Sequence, residues 1–342
     1  MTSMPPSVPT MPPVIPPLPH GSNVPTADAP IADLSYRNYD GPLHSRAIRW
    51  WTIAVAMFKL NLKSTAYRIV AILGVLPYLF IIALLYIQGR INNNGRPIAG
   101  FASALMDNTV GQKYALQFYN ALGYQLLYLL IISIIAGAGS IASDNRNNAL
   151  LIYLSRPITK NDYLLGKWVG LFLTVFLVAF GPAFLLYFYC LCSYYADGFL
   201  KEEPMLIFHV IACTGLASAV FTSIILGLSA WSKSPRITGA ILAGMYFASQ
   251  ILSFAIWQFY SHGKQAHHLL MQHASIGGII SGLSQSIYGV TIHMMAGNLR
   301  KGFRPIDIPP PTPAIIWLCV IGMIVIGVGA ARLKIRAVEV IS

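Results

Sequence analysis

Charge is what this sequence lacks most. Of its 342 residues only 10% are Asp, Glu, Lys or Arg, against roughly 25% in an ordinary soluble chain. Acidic residues are the scarcest, at 11. Cysteines are few, and Cys190, Cys192, Cys213 and Cys319 all fall inside apolar stretches, where a thiol acts as a small hydrophobe. No Cys/His spacing suggests a zinc site. A G-x-x-x-x-G-K-[ST] phosphate loop is also missing. The nearest stretch, "LLGKWVG", has Trp168 after Lys167, where a magnesium-holding hydroxyl should stand. A large soluble domain, a structural zinc site and a phosphate-loop engine are therefore not expected.

What is abundant is apolar residues in long blocks. The chain is 56% hydrophobic with a mean hydropathy of +0.61. About 20 consecutive apolar residues span the hydrocarbon core as a helix. Six blocks qualify, near 69–88, 118–142, 168–193, 205–231, 237–260 and 314–332, none containing Asp, Glu or Lys. Backbone polar groups cannot stay unpaired in lipid, so these blocks must be helices. The fold class expected is an all-α polytopic membrane protein with six transmembrane helices. Pro77 and Pro182 lie inside blocks and should kink them. The blocks hold no Asp, Glu or Lys with which a proton-driven pump could build an internal relay, so any transport is expected to be passive or driven by a partner. The net charge of +12 does not point to nucleic acid, because the basic residues flank the apolar blocks rather than gather on one face. There they set orientation and meet anionic lipid.

Residues 1–42 hold eleven of the 22 prolines and no apolar signal-peptide core. They read as a disordered, Pro-rich tail ahead of a membrane domain over 43–342. Residues 45–65 read as an interfacial helix. Ile48, Trp51, Val55, Phe58 and Leu62 recur at helical spacing, with Arg46, Arg49 and Lys63 turned away, although Ile53 and Leu60 fall on the basic side. The 275–297 stretch is ambiguous. Ile276, Ile279, Ile280, Leu283, Ile287, Val290 and Met294 form one stripe, and Ser281, Ser284, Gln285 and Tyr288 occupy the other side. That pattern predicts an amphipathic, surface-lying or re-entrant element before the last helix rather than a seventh span.

Orientation follows from Lys and Arg. The side holding the termini and the 143–167 and 232–236 loops carries fifteen of them against eight on the other. Both termini are thus expected in the cytoplasm, together with the polar stretch "LSRPITKNDYLLGK" (154–167). Within that loop Asp144 can cap a helix through "NRNNALLIYL". Leu150, Tyr153 and Leu154 then share one face, Pro157 stops the helix, and Thr159 with Asp162 resembles a capping box opening the next one. Such a helix is either a groove-docking element or a positively charged topogenic loop. Small-residue pairs (Ala136 with Ser140, Gly215 with Ala219, Gly239 with Ala243) permit close helix contact, within the chain or across a dimer. His262, His267, His268 and His273 lack the i, i+3 or i+4 spacing of a helical metal pair, so no metal site is expected.

"DNRNNALLIYLSRPITKNDYLLGKWVG" (144–170) resembles the loop after the second span of type-2 ABC transporter permeases. That family commonly shows an Asp, a "LYLSRP"-like run, and a hydrophobic–Gly–Lys entry into the third span. The resemblance extends over about 45–342, through the interfacial helix, six spans, the insertion before the last span and the closing "IRAVEVIS". It implies a multi-pass membrane subunit of an ABC exporter in a bacterial plasma membrane. It further implies a cytoplasmic coupling helix that meets a separate ABC ATPase subunit. Asp144, Arg146, Leu150, Tyr153, Leu154, Arg156, Pro157, Tyr163, Gly166 and Lys167 would form that contact. ATP and magnesium would belong to the ATPase, leaving this chain with no cofactor and no bond chemistry of its own. A second permease copy or a paralogue would complete a dimer, with membrane lipids around it. The rival readings are a membrane-embedded enzyme, for which no convergent acid, base or metal cluster is visible, and an ATPase-independent channel or scaffold.

Overall fold

The computed structural model describes residues 48–93, 114–148, 158–195, 198–260, 272–298, 302–308 and 310–335. The Pro-rich tail at 1–42 and most of the final "IRAVEVIS" lie outside the described residues, as do His262, His267 and His268. Among the described residues, six stretches are long and apolar enough to cross a membrane: Thr65–Ile87, Tyr114–Arg146, Lys160–Tyr194, Leu206–Trp231, Pro235–Ile256 and Pro313–Lys334. Each overlaps one of the six sequence blocks, and the fold is that of an all-α polytopic membrane protein.

Helix α1 (Arg49–Lys63) precedes the first span. Its packing face is not the one the apolar spacing picks out. Ala54 and Met57 are buried, Ile53 leans on the third span, and Ile48 and Trp51 are exposed. Ile53, out of place by periodicity, is thus among the residues making the protein contact. The first span is broken into α2 (Thr65–Leu73) and α3 (Leu76–Asn93), with Gly74 as the C-cap of α2 and Pro77 in the first turn of α3. Proline suits that position because a first-turn N–H has no intrahelical partner to lose.

The second span is α4 (Tyr114–Gly137), followed by a short α5 (Ala142–Arg146). The third is α6 (Lys160–Tyr194), 35 residues without a break. At 1.5 Å per residue it is about 52 Å long, well beyond a hydrocarbon core of about 30 Å. A short α7 (Phe199–Glu202) leads to α8 (Leu206–Trp231), the most enclosed span, with Val210, Ala217, Val220, Phe221 and Ile225 all fully buried. Then come α9 (Pro235–Tyr260) and, at the C-terminal end, α11 (Pro313–Lys334). Apolar burial drives little between helices in lipid, so close backbone approach decides the packing. Gly227 of α8 faces Gly327 of α11, where an added Cβ would come 2.7 Å from the Gly327 carbonyl oxygen.

Pro182 lies inside α6 and has no N–H for the Val178 carbonyl. A neighbouring helix replaces the missing donor. Gln125 Nε2 of α4 donates to Val178 O at 2.6 Å, and Tyr78 Oη of α3 donates to Gln125 Oε1 at 2.9 Å. Gln125 is completely buried. One proline's defect thereby ties three helices together. A second tie holds the α1–α2 corner: Asn61 Nδ2 donates to Thr174 Oγ1 at 3.2 Å and Tyr67 Oη to Thr174 O at 3.1 Å.

The segment before the last span departs from expectation in two ways. Helix α10 (Ile276–Tyr288) ends at Gly289, which adopts φ +65°. The helix therefore stops short of Val290 and Met294. Its polar side is not exposed: Ser284, Gln285 and Tyr288 are buried along with Ile280 and Leu283. The helix packs on α4, α8, α9 and α11. The buried polar groups find partners, Ser284 Oγ donating to Ile280 O at 2.9 Å and Gln272 Nε2 to Gln285 Oε1 at 2.6 Å. A polar face on a helix thus served an internal network rather than water. Beyond it the chain forms an unanticipated antiparallel hairpin, β1 (Ile292–Asn298) with β2 (Gly302–Ile308), pairing Ile292 with Ile308 and Asn298 with Gly302.

Candidate functional site

The polar connection between α5 and α6 is built outward from two anchored feet. The first foot is α5. Its N-cap, Ile141, offers no side-chain acceptor, so the first amides of the helix need one from elsewhere. Ser229 of α8 supplies it. Its Oγ accepts from Ile141 N and Ala142 N, both at 3.0 Å, and donates to Ala138 O at 2.9 Å. One buried hydroxyl thus uses its donor and both lone pairs. Asn145 Nδ2 adds a bond to Ala230 O at 2.9 Å. Asp144 is therefore not the helix cap that its position suggests. It lies in the first turn of α5, where a carboxylate suits the positive end of the helix, and its side chain is free to reach α6.

The second foot is the start of α6. Thr159 and Asp162 form the anticipated capping box: Asp162 N donates to Thr159 Oγ1 at 3.1 Å and Thr159 N to Asp162 Oδ2 at 3.2 Å. This pins the first turn and aims Tyr163 and Lys167, one turn apart, at α5. Tyr163 Oη donates to Asp144 Oδ2 at 2.6 Å. Lys167 Nζ lies 3.0 Å from the same oxygen and donates to Ser140 O at 2.8 Å. The ammonium also sits 5.5 Å from the Tyr163 ring centroid, within cation–π range. The side chains of Lys167 and Asp144 are only 14% and 16% exposed. A pair so nearly dry is strongly held in place, because removing either partner strands a charge.

Gly166, on the same turn, faces α1. A Cβ there would lie 2.7 Å from both Ile53 Cβ and Trp50 O, and one at Gly170 would lie 2.7 Å from Ala54 O. Only glycine at both positions lets α1 cross this closely. Of the expected contact residues, then, Asp144, Tyr163 and Lys167 come together, Gly166 serves the α1 crossing, and Arg146 is exposed at the end of α5. Leu150, Tyr153, Leu154, Arg156 and Pro157 lie outside the described residues. Asn145 and Ser229 belong to the site although nothing in their local sequence singles them out, and Ser140, marked only as a small residue, contributes its carbonyl.

The family model for ABC-2 family transporter proteins matches residues 26–334. The chain belongs to that family. No curated protein matches it. An ABC-2 permease is the membrane subunit of an ABC transporter, a transport component rather than a catalyst, and membership implies an ABC ATPase as partner. In this ABC-2 permease the braced connection joins the second and third spans, the place where the resemblance of 144–170 puts the contact with that partner. Asp144 is bound to a tyrosine and a lysine of α6, which holds the two feet of the connection together.

Proposed function

We propose that this chain is the membrane subunit of an ABC exporter in a bacterial plasma membrane, and that residues 144–163 carry force from a separate ATPase into the spans. The observation that supports this most is the brace. Lys167, Tyr163 and Asp144 clamp the two feet of a connection whose middle holds Leu150, Tyr153 and Leu154. A contact loop transmits motion only if its feet do not give way. In this reading both termini and the connection are cytoplasmic, two permease chains assemble with two ATPases, and ATP and magnesium stay on the ATPases. Different affinities of ATP for the two access states would drive the spans between them.

The test is co-purification of the cognate ATPase with coupled ATP turnover. Tyr153→Ala and Leu154→Asp should each weaken the complex by roughly 1–3 kcal/mol, as loss of an interface anchor does, while membrane insertion stays normal. Arg146→Ala should act weakly and mainly at low salt, and Lys264→Ala, in the connection after the fifth span on the side opposite the proposed ATPase contact, not at all. Normal binding and full coupled turnover by both anchor variants would reduce the loop to a topogenic signal.

A further inference from the structure

The outer side of α6 has a feature that the braced connection does not use. Trp168, Phe172, Phe176, Phe180 and Phe184 follow one another at four-residue spacing. The first three gaps are near-parallel stacks, with centroids 5.2, 5.5 and 5.2 Å apart and planes within 13° of each other. The fourth, Phe180 to Phe184, is tilted at 5.7 Å. Stacked aromatics are ordinary core material, yet the first four of these residues are only half-buried, and Phe184 is 45% exposed. Both α6 and α11 pack along α8, and Phe176 lies beside Gly215 of that helix. Trp168 is fixed at the foot of the stripe by donating Nε1–H to Ser223 Oγ at 2.9 Å.

At that foot lies a cavity of about 330 Å³ between the first turns of α6 and the last turn of α11, lined by Asp162, Leu165, Trp168, Val328 and Arg332 among others. It holds one charge of each sign. Arg332 makes no hydrogen bond or ion pair among the described residues. Asp162 spends only Oδ2 on the capping box, so Oδ1 has no partner among the described residues. The two charges are not paired with each other. The cavity sits near the ends of α6 and α11, where a bilayer around these spans would place its headgroups, and apolar rings run from it along α6. Trp168 to Phe176 covers about 12 Å, close to the roughly 15 Å depth of one leaflet.

We propose that this cavity is a specific site for a zwitterionic phospholipid with a primary ammonium, of the phosphatidylethanolamine type. Arg332 takes the phosphate, Asp162 Oδ1 accepts from the ammonium, and an acyl chain lies along Trp168, Phe172 and Phe176. A choline headgroup cannot donate to Asp162, and a glycerol headgroup leaves that carboxylate facing the lipid without a cation.

The experiment reconstitutes the full chain into vesicles of equal parts phosphatidylethanolamine, phosphatidylcholine and phosphatidylglycerol. The protein is re-extracted in mild detergent and the retained lipid is measured by mass spectrometry. The wild-type chain should retain phosphatidylethanolamine about tenfold over phosphatidylcholine, the effect of one charge-assisted hydrogen bond. Asp162→Asn, which can still cap α6, should switch the preference to phosphatidylglycerol. Arg332→Gln should abolish retention of both, and Arg236→Gln, an arginine at the start of α9, should change nothing. Equal retention of the three lipids by the wild-type chain, or a wild-type preference for another headgroup, overturns the proposal without any variant. So does an Arg236→Gln loss matching that of Arg332→Gln.

Discussion

Lys167 and Asp144 are 23 positions apart in sequence and 3.0 Å apart in space. The contact closes the whole connection between the second and third spans into a loop with a fixed neck. Tyr163 strengthens the neck by donating to the same carboxylate oxygen. Lys167→Met should therefore destabilise the solubilised protein by about 3 kcal/mol, because Asp144 is left charged in a nearly dry site. The double variant Asp144→Leu/Lys167→Met should recover most of that loss. Thermal unfolding in detergent measures both, and strictly additive losses would contradict the pairing.

Gln125 and Pro182 should show the opposite of independence. Gln125→Leu leaves the Val178 carbonyl without its donor and should cost about 1–3 kcal/mol. Pro182→Ala restores an N–H within α6 for that same carbonyl. Gln125→Leu should accordingly be much less harmful in a Pro182→Ala background, and a double-mutant cycle in thermal unfolding reads the difference.

The burial of α10 sets a third expectation. Ser284 and Ile280 are each about 1% exposed. Ser284→Asp should disrupt assembly as severely as Ile280→Asp, since either strands a carboxylate inside the bundle. Ile287→Asp, at a half-buried position, should be milder. The yield of monodisperse protein after extraction distinguishes this order from that of a surface-lying helix, in which Ser284→Asp would be harmless.

Orientation is open to direct chemistry. In a background without native cysteines, single cysteines at Asn93, Glu202 and His268 should react with an impermeant thiol reagent on intact cells. One at Asn147 should react only after permeabilisation. Labelling at Asn147 on intact cells would invert the proposed topology.

The six spans are legible because about twenty apolar residues without charge have few other fates. The capping box at Thr159 and Asp162 is legible for a similar reason: its partners are three residues apart. The brace is legible only in part. The resemblance names Asp144, Tyr163 and Lys167, but their meeting depends on α6 returning beside α5, which no local period encodes. Ser229 and Gln125 are two among several polar residues in their apolar runs, and the groups they satisfy lie outside their own helices. For Gln125 a signal did exist, an amide deep in one span and a proline in the next. The hairpin escapes notice because Val290 and Met294 extend the helical stripe numerically, while Gly289, the residue that ends the helix, looks like any other small residue.

The two ties between α4 and α6 have a mechanical consequence. One is the Gln125 bond to Val178, and the other is the Lys167 bond to Ser140 and Asp144 just past the end of α4. On α6 the two points are eleven residues apart, about 16 Å along an unbroken helix. Two rods pinned at one point can swivel, but two rods pinned at separated points can neither swivel nor slide. Any push on the connection would then turn the second and third spans as a single lever, and Tyr78, through Gln125, and Tyr67, through Thr174, would draw the first span along with it.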